Sequence, residues 1–309
     1  MKTYLLLILA LVHILLMTEH SVAQITYETF NAPESATELT GIDQNAIIGQ
    51  YPYLSTSFLY DGSSFTNIAD PLATGGTFAS GVSGGTVVGS FNGYVGGIFG
   101  HYGFIYSGAL YTTFNYPLSI STDALGIEGT NIVGTYLDSS GNRHGFLDAN
   151  GTFSSLDYPG TTNGTEVVGI SGNILAGQYL GGSFIYSNGV YKNINDPLST
   201  NGTFVTGISG NNIVGFFDRY GVNYGFLYNG STYTTLDDPL AADTGLFGTY
   251  PEGISGSKIV GTYYSGIAGS ENGFIATIVP EPNSIAFFIV SIGTLGILFF
   301  RKARGLKAR

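Results

Sequence analysis

The chain has 309 residues with 47 glycines, no cysteine and no tryptophan, 14% aromatic residues, only 10% charged ones and a formal net charge of −11. Absent cysteine excludes disulfides, thiolate metal sites and cysteine nucleophiles together. Glycine at fixed turn positions among β-branched and aromatic runs argues for a folded core rather than a low-complexity chain, and units without an intervening linker argue for one domain.

Lys2, an apolar run over 4–17 and the small residues Ser21-Val22-Ala23 make a secretory signal peptide at 1–23, so the mature chain begins at Gln24. A repeat then runs through the chain. Its opening, Gly-Ile/Val-polar followed by an apolar pair and Gly, stands at Gly41, Gly81, Gly126, Gly169, Gly207 and Gly253, at intervals of 38 to 46 residues. A small-residue-Phe step follows at Phe58, Phe104, Phe146, Phe184, Phe226 and Phe274. Next comes an aromatic-polar strand that ends in a proline turn at Pro71, Pro117, Pro159, Pro197 and Pro239.

Gly, Asn, Asp and Pro punctuate each unit every five to eight residues, which predicts four short strands per unit. In the fifth unit they are expected near 203–209, 212–217, 223–228 and 232–236, with Asn229-Gly230 as a two-residue hairpin. A four-stranded unit of about 40 residues is the signature of a β-propeller. The sixth unit stops after its third strand, and the mature N-terminus, ITYETFNAP, aligns with the fourth strand TYTTLDDP. The expectation is all-β: a six-bladed β-propeller over 24–278 whose N-terminal strand closes the last blade. The repeats resemble the extracellular HAF-type repeats, whose His-Ala-Phe-like step is best matched by His144-Gly145-Phe146. That resemblance implies no established chemistry.

At the C-terminus Val279, Pro280, Glu281 and Pro282 precede seventeen uncharged residues at 284–300 and the basic residues Arg301, Lys302, Arg304, Lys307 and Arg309. Seventeen residues of helix span about 26 Å, short but sufficient for a membrane crossing, and the basic tail holds the C-terminus in the cytoplasm. These three parts resemble the PEP-CTERM sorting signal of Gram-negative bacteria. The resemblance implies an exosortase-like processing enzyme as partner, a transient membrane anchor at 279–309 and a final place on the cell surface or in an exopolysaccharide matrix.

Between Gln24 and Val279 four basic residues face nineteen acidic ones, a net of −15. A surface this acidic excludes nucleic acid and anionic lipid as partners. Two residues before each turn proline stand Asn31, Ala69, Asn115, Asp157, Asn195 and Asp237, better read as turn-forming Asx residues than as a ligand ring. The aromatics after the Ile-Val-Gly step, Tyr51, Phe91, Tyr136, Tyr179, Phe217 and Tyr263, are better read as packing between blades than as a sugar platform. The hairpin tyrosines Tyr53, Tyr94, Tyr102, Tyr220, Tyr224 and Tyr264 are the expected glycan contacts.

His101 and His144 read as solvated hairpin residues, Asp237-Asp238 as carboxylates pointing apart, and Asp138–Asn142 as a hairpin turn rather than a calcium loop. No catalytic or metal-binding constellation and no cofactor site is expected, and no residue departs from the repeat as a catalytic one should. The reading is a monomeric, non-enzymatic exported protein with a structural or adhesive role toward extracellular polysaccharide. The alternative is a polysaccharide lyase or hydrolase on the same scaffold.

Overall fold

The computed structural model describes residues 24–34, 37–242, 248–266 and 270–279. The expected signal peptide, the expected membrane helix and the sorting segment beyond Val279 lie outside them. Tyr27–Thr277 form one compact unit. Of the second, Met1–Thr26 with Ile278–Arg309, only the outermost residues of two strands are described. Among the described residues all regular structure is strand, and no helix is long and apolar enough to cross a membrane.

The strands are antiparallel meanders in sequence order. The N-terminal strand is β1 (Gln24–Phe30). The first unit is β2 (Glu38–Asp43), β3 (Ala46–Tyr51), β4 (Thr56–Tyr60) and β5 (Phe65–Ile68). The second is β6 (Ala73–Ser83), β7 (Thr86–Val95), β8 (Ile98–Ser107) and β9 (Leu110–Phe114), and the third β10 (Ser121–Glu128), β11 (Asn131–Leu137), β12 (Arg143–Ala149) and β13 (Thr152–Leu156). The fourth is β14 (Glu166–Ser171), β15 (Ile174–Tyr179), β16 (Gly182–Ser187) and β17 (Val190–Ile194), and the fifth β18 (Thr203–Ser209), β19 (Asn212–Arg219), β20 (Val222–Tyr228) and β21 (Tyr233–Leu236). The last, β22 (Thr249–Ser255), β23 (Lys258–Ser265) and β24 (Ser270–Val279), is completed by β1, in the order β1-β24-β23-β22. The fold is an all-β propeller.

The repeat's landmarks have steric causes. The glycine after each apolar pair lies under the phenylalanine of the next strand. A Cβ on Gly134 would overlap the Asp123 carbonyl and the Phe146 ring, and one on Gly261 would overlap the Tyr250 carbonyl and Phe274. Those phenylalanines are fully buried and fill the space between neighbouring units. The signature glycines meet one another at the centre: Gly81 against Gly126, Gly126 against Gly169, Gly207 against Gly253, and Gly253 against Gly41, where an added Cβ would stand 2.9 Å from the Gly41 Cα. The last of these contacts joins the two ends of the repeat array.

A girdle of hydrogen bonds follows the same circle. The polar third residue of each opening accepts an N–H from the first turn of the next unit: Gly84 to Asp43 (2.8 Å), Gly129 to Ser83 (3.1 Å), Gly172 to Glu128 (2.7 Å), Gly210 to Ser171 (2.9 Å), Gly256 to Ser209 (3.1 Å) and Gln44 to Ser255 (3.0 Å). Fourth-strand tyrosines latch the outer rim. Tyr111, Tyr233 and Tyr27 accept the N–H of Ala69, Asn195 and Asp237 at the end of the preceding unit, and Tyr191 donates to the Asp157 carbonyl.

Three local expectations need correction. The second and third units do not form separate sheets: one parallel pair, Ser121↔His101, joins β10 to β8 in an eight-stranded sheet beside four four-stranded ones. Asn229-Gly230 is not a two-residue turn, because Asn229 Oδ1 accepts the N–H of both Ser231 and Thr232 and so lengthens the loop to four residues. Asn150-Gly151 and Asn188-Gly189 do form such turns, with positive φ at both positions. The Asx turn also sits one residue later than read: Asp70, Asp196 and Asp238, directly before proline, accept the N–H of Leu72, Leu198 and Leu240.

Candidate functional site

In every unit the first strand slips by one residue just before the signature glycine, between Leu39/Gly41, Ala79/Gly81, Ala124/Gly126, Val167/Gly169, Val205/Gly207 and Pro251/Gly253. A bulge leaves one residue unpaired and re-aims its side chain. The residues so released are Thr40, Ser80, Leu125, Val168, Thr206 and Glu252, and all six line a central cavity of about 230 Å³. Five are uncharged. Glu252 is the departure from the repeat that the sequence reading missed, although aligning the position before each signature glycine exposes it.

Glu252 also lines a second cavity of about 270 Å³, walled by Glu38, Leu39, Thr40, Tyr250, Thr262 and Tyr264. Glu252 is half-buried, lining both cavities. Burial, with a smaller contribution from the Glu38 charge, pushes it up to about 8. Burial raises Glu38 too, with Glu271 repelling it, and Glu271 Oε2 is buried without a hydrogen-bond partner. Two carboxylates on other first strands are attended by bases. Arg143 donates to Glu166, and His101 Nε2 lies 2.5 Å from Asp123 Oδ1.

The two ends of the channel differ. Turns between first and second strands, and between third and fourth, lie at one end. The hairpins between second and third strands and the connections between units lie at the other, here termed the loop face. Glu38, Tyr250, Tyr264 and Glu271 all sit at strand ends on the loop face. So do the exposed tips Tyr53 (79% exposed), Tyr94 (53%) and Tyr220 (82%), with Leu54, Ile98, Phe99 and Leu180 beside them. The residue after the turn proline adds Leu72, Leu118, Leu198 and Leu240, of which Leu118 is 97% exposed at a positive φ of 64°. Of the other exposed large apolar residues among those described, Phe65, Leu110 and Val190 lie at turns of the opposite face.

The six tyrosines expected to contact glycan therefore divide. Tyr53, Tyr94 and Tyr220 are exposed tips. Tyr102 is half-buried against Phe91 and donates to the Ile98 carbonyl, and Tyr224 is half-buried against Phe217, because both rings close the gap beside the next strand. Tyr264 is half-buried in the acidic cavity.

Of the post-glycine aromatics Tyr51, Phe91, Phe217 and Tyr263 are core. Tyr136 and Tyr179 are half-buried and stack on Tyr116 and Tyr158 at 3.7 Å. The histidines are not freely solvated. His101 is held between Asn92 and Asp123, and His144 Nδ1 and Nε2 face Asp157 and Asp138. Asp138 closes its hairpin by accepting the N–H of Ser140 and Asn142, which holds its carboxyl down at about 2. Asp238 is buried in its turn while the backbone of Asp237 reaches Tyr27, so the pair does not converge on one cavity.

The sequence matches no family model, and no curated protein matches it. Among solved structures the chain is similar to the lectin of Aleuria aurantia, described as a six-bladed β-propeller with a novel fucose recognition mode, at 14% identity over 84% of this chain and 97% of that one (TM-score 0.45). It is similar to AofleA from Arthrobotrys oligospora at 11% identity over 84% of each chain (TM-score 0.43). It is similar to Trypanosoma rangeli sialidase at 7% identity over 84% of this chain and 60% of that one (TM-score 0.45). At these identities and TM-scores the likenesses carry no argument, and the propeller assignment stands on the strand order and the girdle of hydrogen bonds that returns to Gln44.

Proposed function

We propose that this protein is an exported surface or matrix component that binds extracellular polysaccharide through its loop face, in a structural or adhesive role. One observation carries the reading: Tyr53, Tyr94 and Tyr220 crown hairpins of three units on one face, the face at which the strand ends Glu38, Tyr250 and Tyr264 wall a cavity rich in hydroxyl and carboxyl groups. An aromatic ring with an apolar face and a hydroxyl edge suits the alternating C–H and O–H surfaces of sugars. We read the propeller as six-bladed, because the girdle of hydrogen bonds returns to Gln44 after six steps and a single parallel pair is contact between blades rather than a shared blade. The resemblance of 279–309 to the PEP-CTERM signal supports sorting by an exosortase-type enzyme.

The test is a polysaccharide array probed with the full chain in detergent. Replacing Tyr53, Tyr94 and Tyr220 together by Ala is expected to weaken binding at least about ten-fold, a loss of roughly 1.4 kcal/mol. Binding that survives the triple change intact would sink the reading.

A second reading, glycan cleavage, is favoured by one feature. A carboxyl pushed up to about 8 holds a proton that it could donate as a general acid. Fold does not decide between binder and enzyme. Release of new reducing ends from a bound polysaccharide, abolished by Glu252→Gln, would establish cleavage; binding without release supports the binder.

A further inference from the structure

The acidic cavity has a chemistry that a general sugar binder does not need. Glu38 and Glu252 line it with Tyr250, Tyr264 and Thr262, and the Glu271 charge acts on both Glu38 and Tyr264. None of the four basic residues of the mature propeller attends it. Arg143 is committed to Glu166, Lys192 lies over the Tyr228 ring, Lys258 donates to Asn45, and Arg219 is exposed at the end of β19. Glu252 is half-buried and lines the cavity, and Glu271 Oε2 is buried without a hydrogen-bond partner. Enclosed, unpartnered carboxyls are destabilising unless a donor or cation meets them. The bulge at Pro251/Gly253 sets Glu252 in the wall of this cavity, beside the loop-face strand ends Glu38, Tyr250 and Tyr264.

We propose that this cavity takes the primary ammonium group of an amino-sugar polymer, such as a glucosamine oligomer, with Glu38 and Glu252 as acceptors and the sugar rings resting on the loop-face aromatics. The inference rests on the glycan-binding reading and narrows it. An ammonium offers three donors to carboxylates and hydroxyls together. An N-acetylated sugar offers a neutral amide and leaves the carboxyls unmet, and a uronate brings a further negative charge. Glu252 is faced by Glu38, Tyr250 and Tyr264, and more remotely by Glu271, so a cation arriving among them makes Glu252 give up its proton.

The experiment is titration calorimetry of the full chain in detergent, at neutral pH, with three probes of equal length: glucosamine, N-acetylglucosamine and glucose oligomers. Each is run in two buffers of different ionisation enthalpy. Glucosamine oligomers are expected to bind at least about ten-fold more tightly than either other probe, more weakly as salt is added, and with a buffer-dependent heat that reports net proton release. Glu252→Gln is expected to erase most of the preference and the proton release.

Equal affinity for the amine and its acetylated counterpart overturns the inference while leaving glycan binding standing. Absence of binding to all three overturns both. The comparison among probes is made on the unaltered protein, so it does not depend on any variant folding.

Discussion

A carboxyl that loses part of its hydration favours its neutral form, and for Glu252 this has a sign that can be measured. Its folded-state value stands at about 8 against an ordinary 4.5. The folded protein therefore keeps a proton that the unfolded chain loses, and the associated stability, complete below pH 4.5, drains away as the pH rises through 8. Glu38, Asp70, Asp196 and Asp238, all raised chiefly by burial, push in the same direction. The melting temperature is expected to fall between pH 5 and 8, and Glu252→Gln to flatten that fall; an unchanged slope would show that the carboxyl is better solvated than its surroundings indicate. The tyrosine latches make a second case. Tyr233→Phe removes a bond to the Asn195 N–H and is expected to cost about 1 kcal/mol in denaturant melts. Phe153 occupies the same position of β13 without a hydroxyl, so Phe153→Tyr is expected to gain up to about as much by reaching the backbone at Asn115.

Strands and turns were largely readable because six copies repeat the same steric demands. The fifth unit's strand positions come within two residues of those read, and glycine after the apolar pair recurs because nothing larger fits beneath the phenylalanine. Gly134→Ala, which would drive a methyl into the Asp123 carbonyl, is expected to cost about 3 kcal/mol or more. Gly84→Ala, with open space but a φ of 56°, should cost only about 1 kcal/mol. Equal losses would mean that backbone conformation, not overlap, fixes the glycines. The bulges were not readable. An extra unpaired residue leaves the spacing of landmarks unchanged, so Thr40, Ser80 and Glu252 looked like ordinary strand residues although the slip turns them into the channel wall. The Asn229 loop was misread for a related reason: a side-chain acceptor can out-compete the backbone geometry that Asn-Gly usually sets.

Across the assembled propeller the sequence carried the closure and concealed the sidedness. The match between the N-terminal segment and a fourth strand announced that β1 would join β24, and it does. The gathering of Tyr53, Tyr94, Tyr220 and the post-proline leucines on one face follows from connectivity, and residues scattered from Tyr53 to Leu240 give no local sign of it. The sorting expectation belongs here too. Deleting 280–309 is expected to send the protein into the medium instead of leaving it on the cell surface, as fractionation would show; unchanged surface retention would count against an anchor in that segment.

The seam between β1 and β24 has a kinetic meaning. Apart from the single parallel pair of β10 with β8, every other strand pair is made by neighbours in sequence, yet this one ties the N-terminal segment to the last unit, where Thr29 and Tyr263 share a hydrogen bond across 234 positions. Closing so long a loop is paid in chain entropy before any contact repays it. The propeller thus cannot finish until its last strand has been made. A permuted chain with β1 moved to follow β24 would turn that distant pairing into a hairpin. It is expected to refold faster than the natural order at little change in stability, and equal refolding rates would show that the seam is not what limits folding.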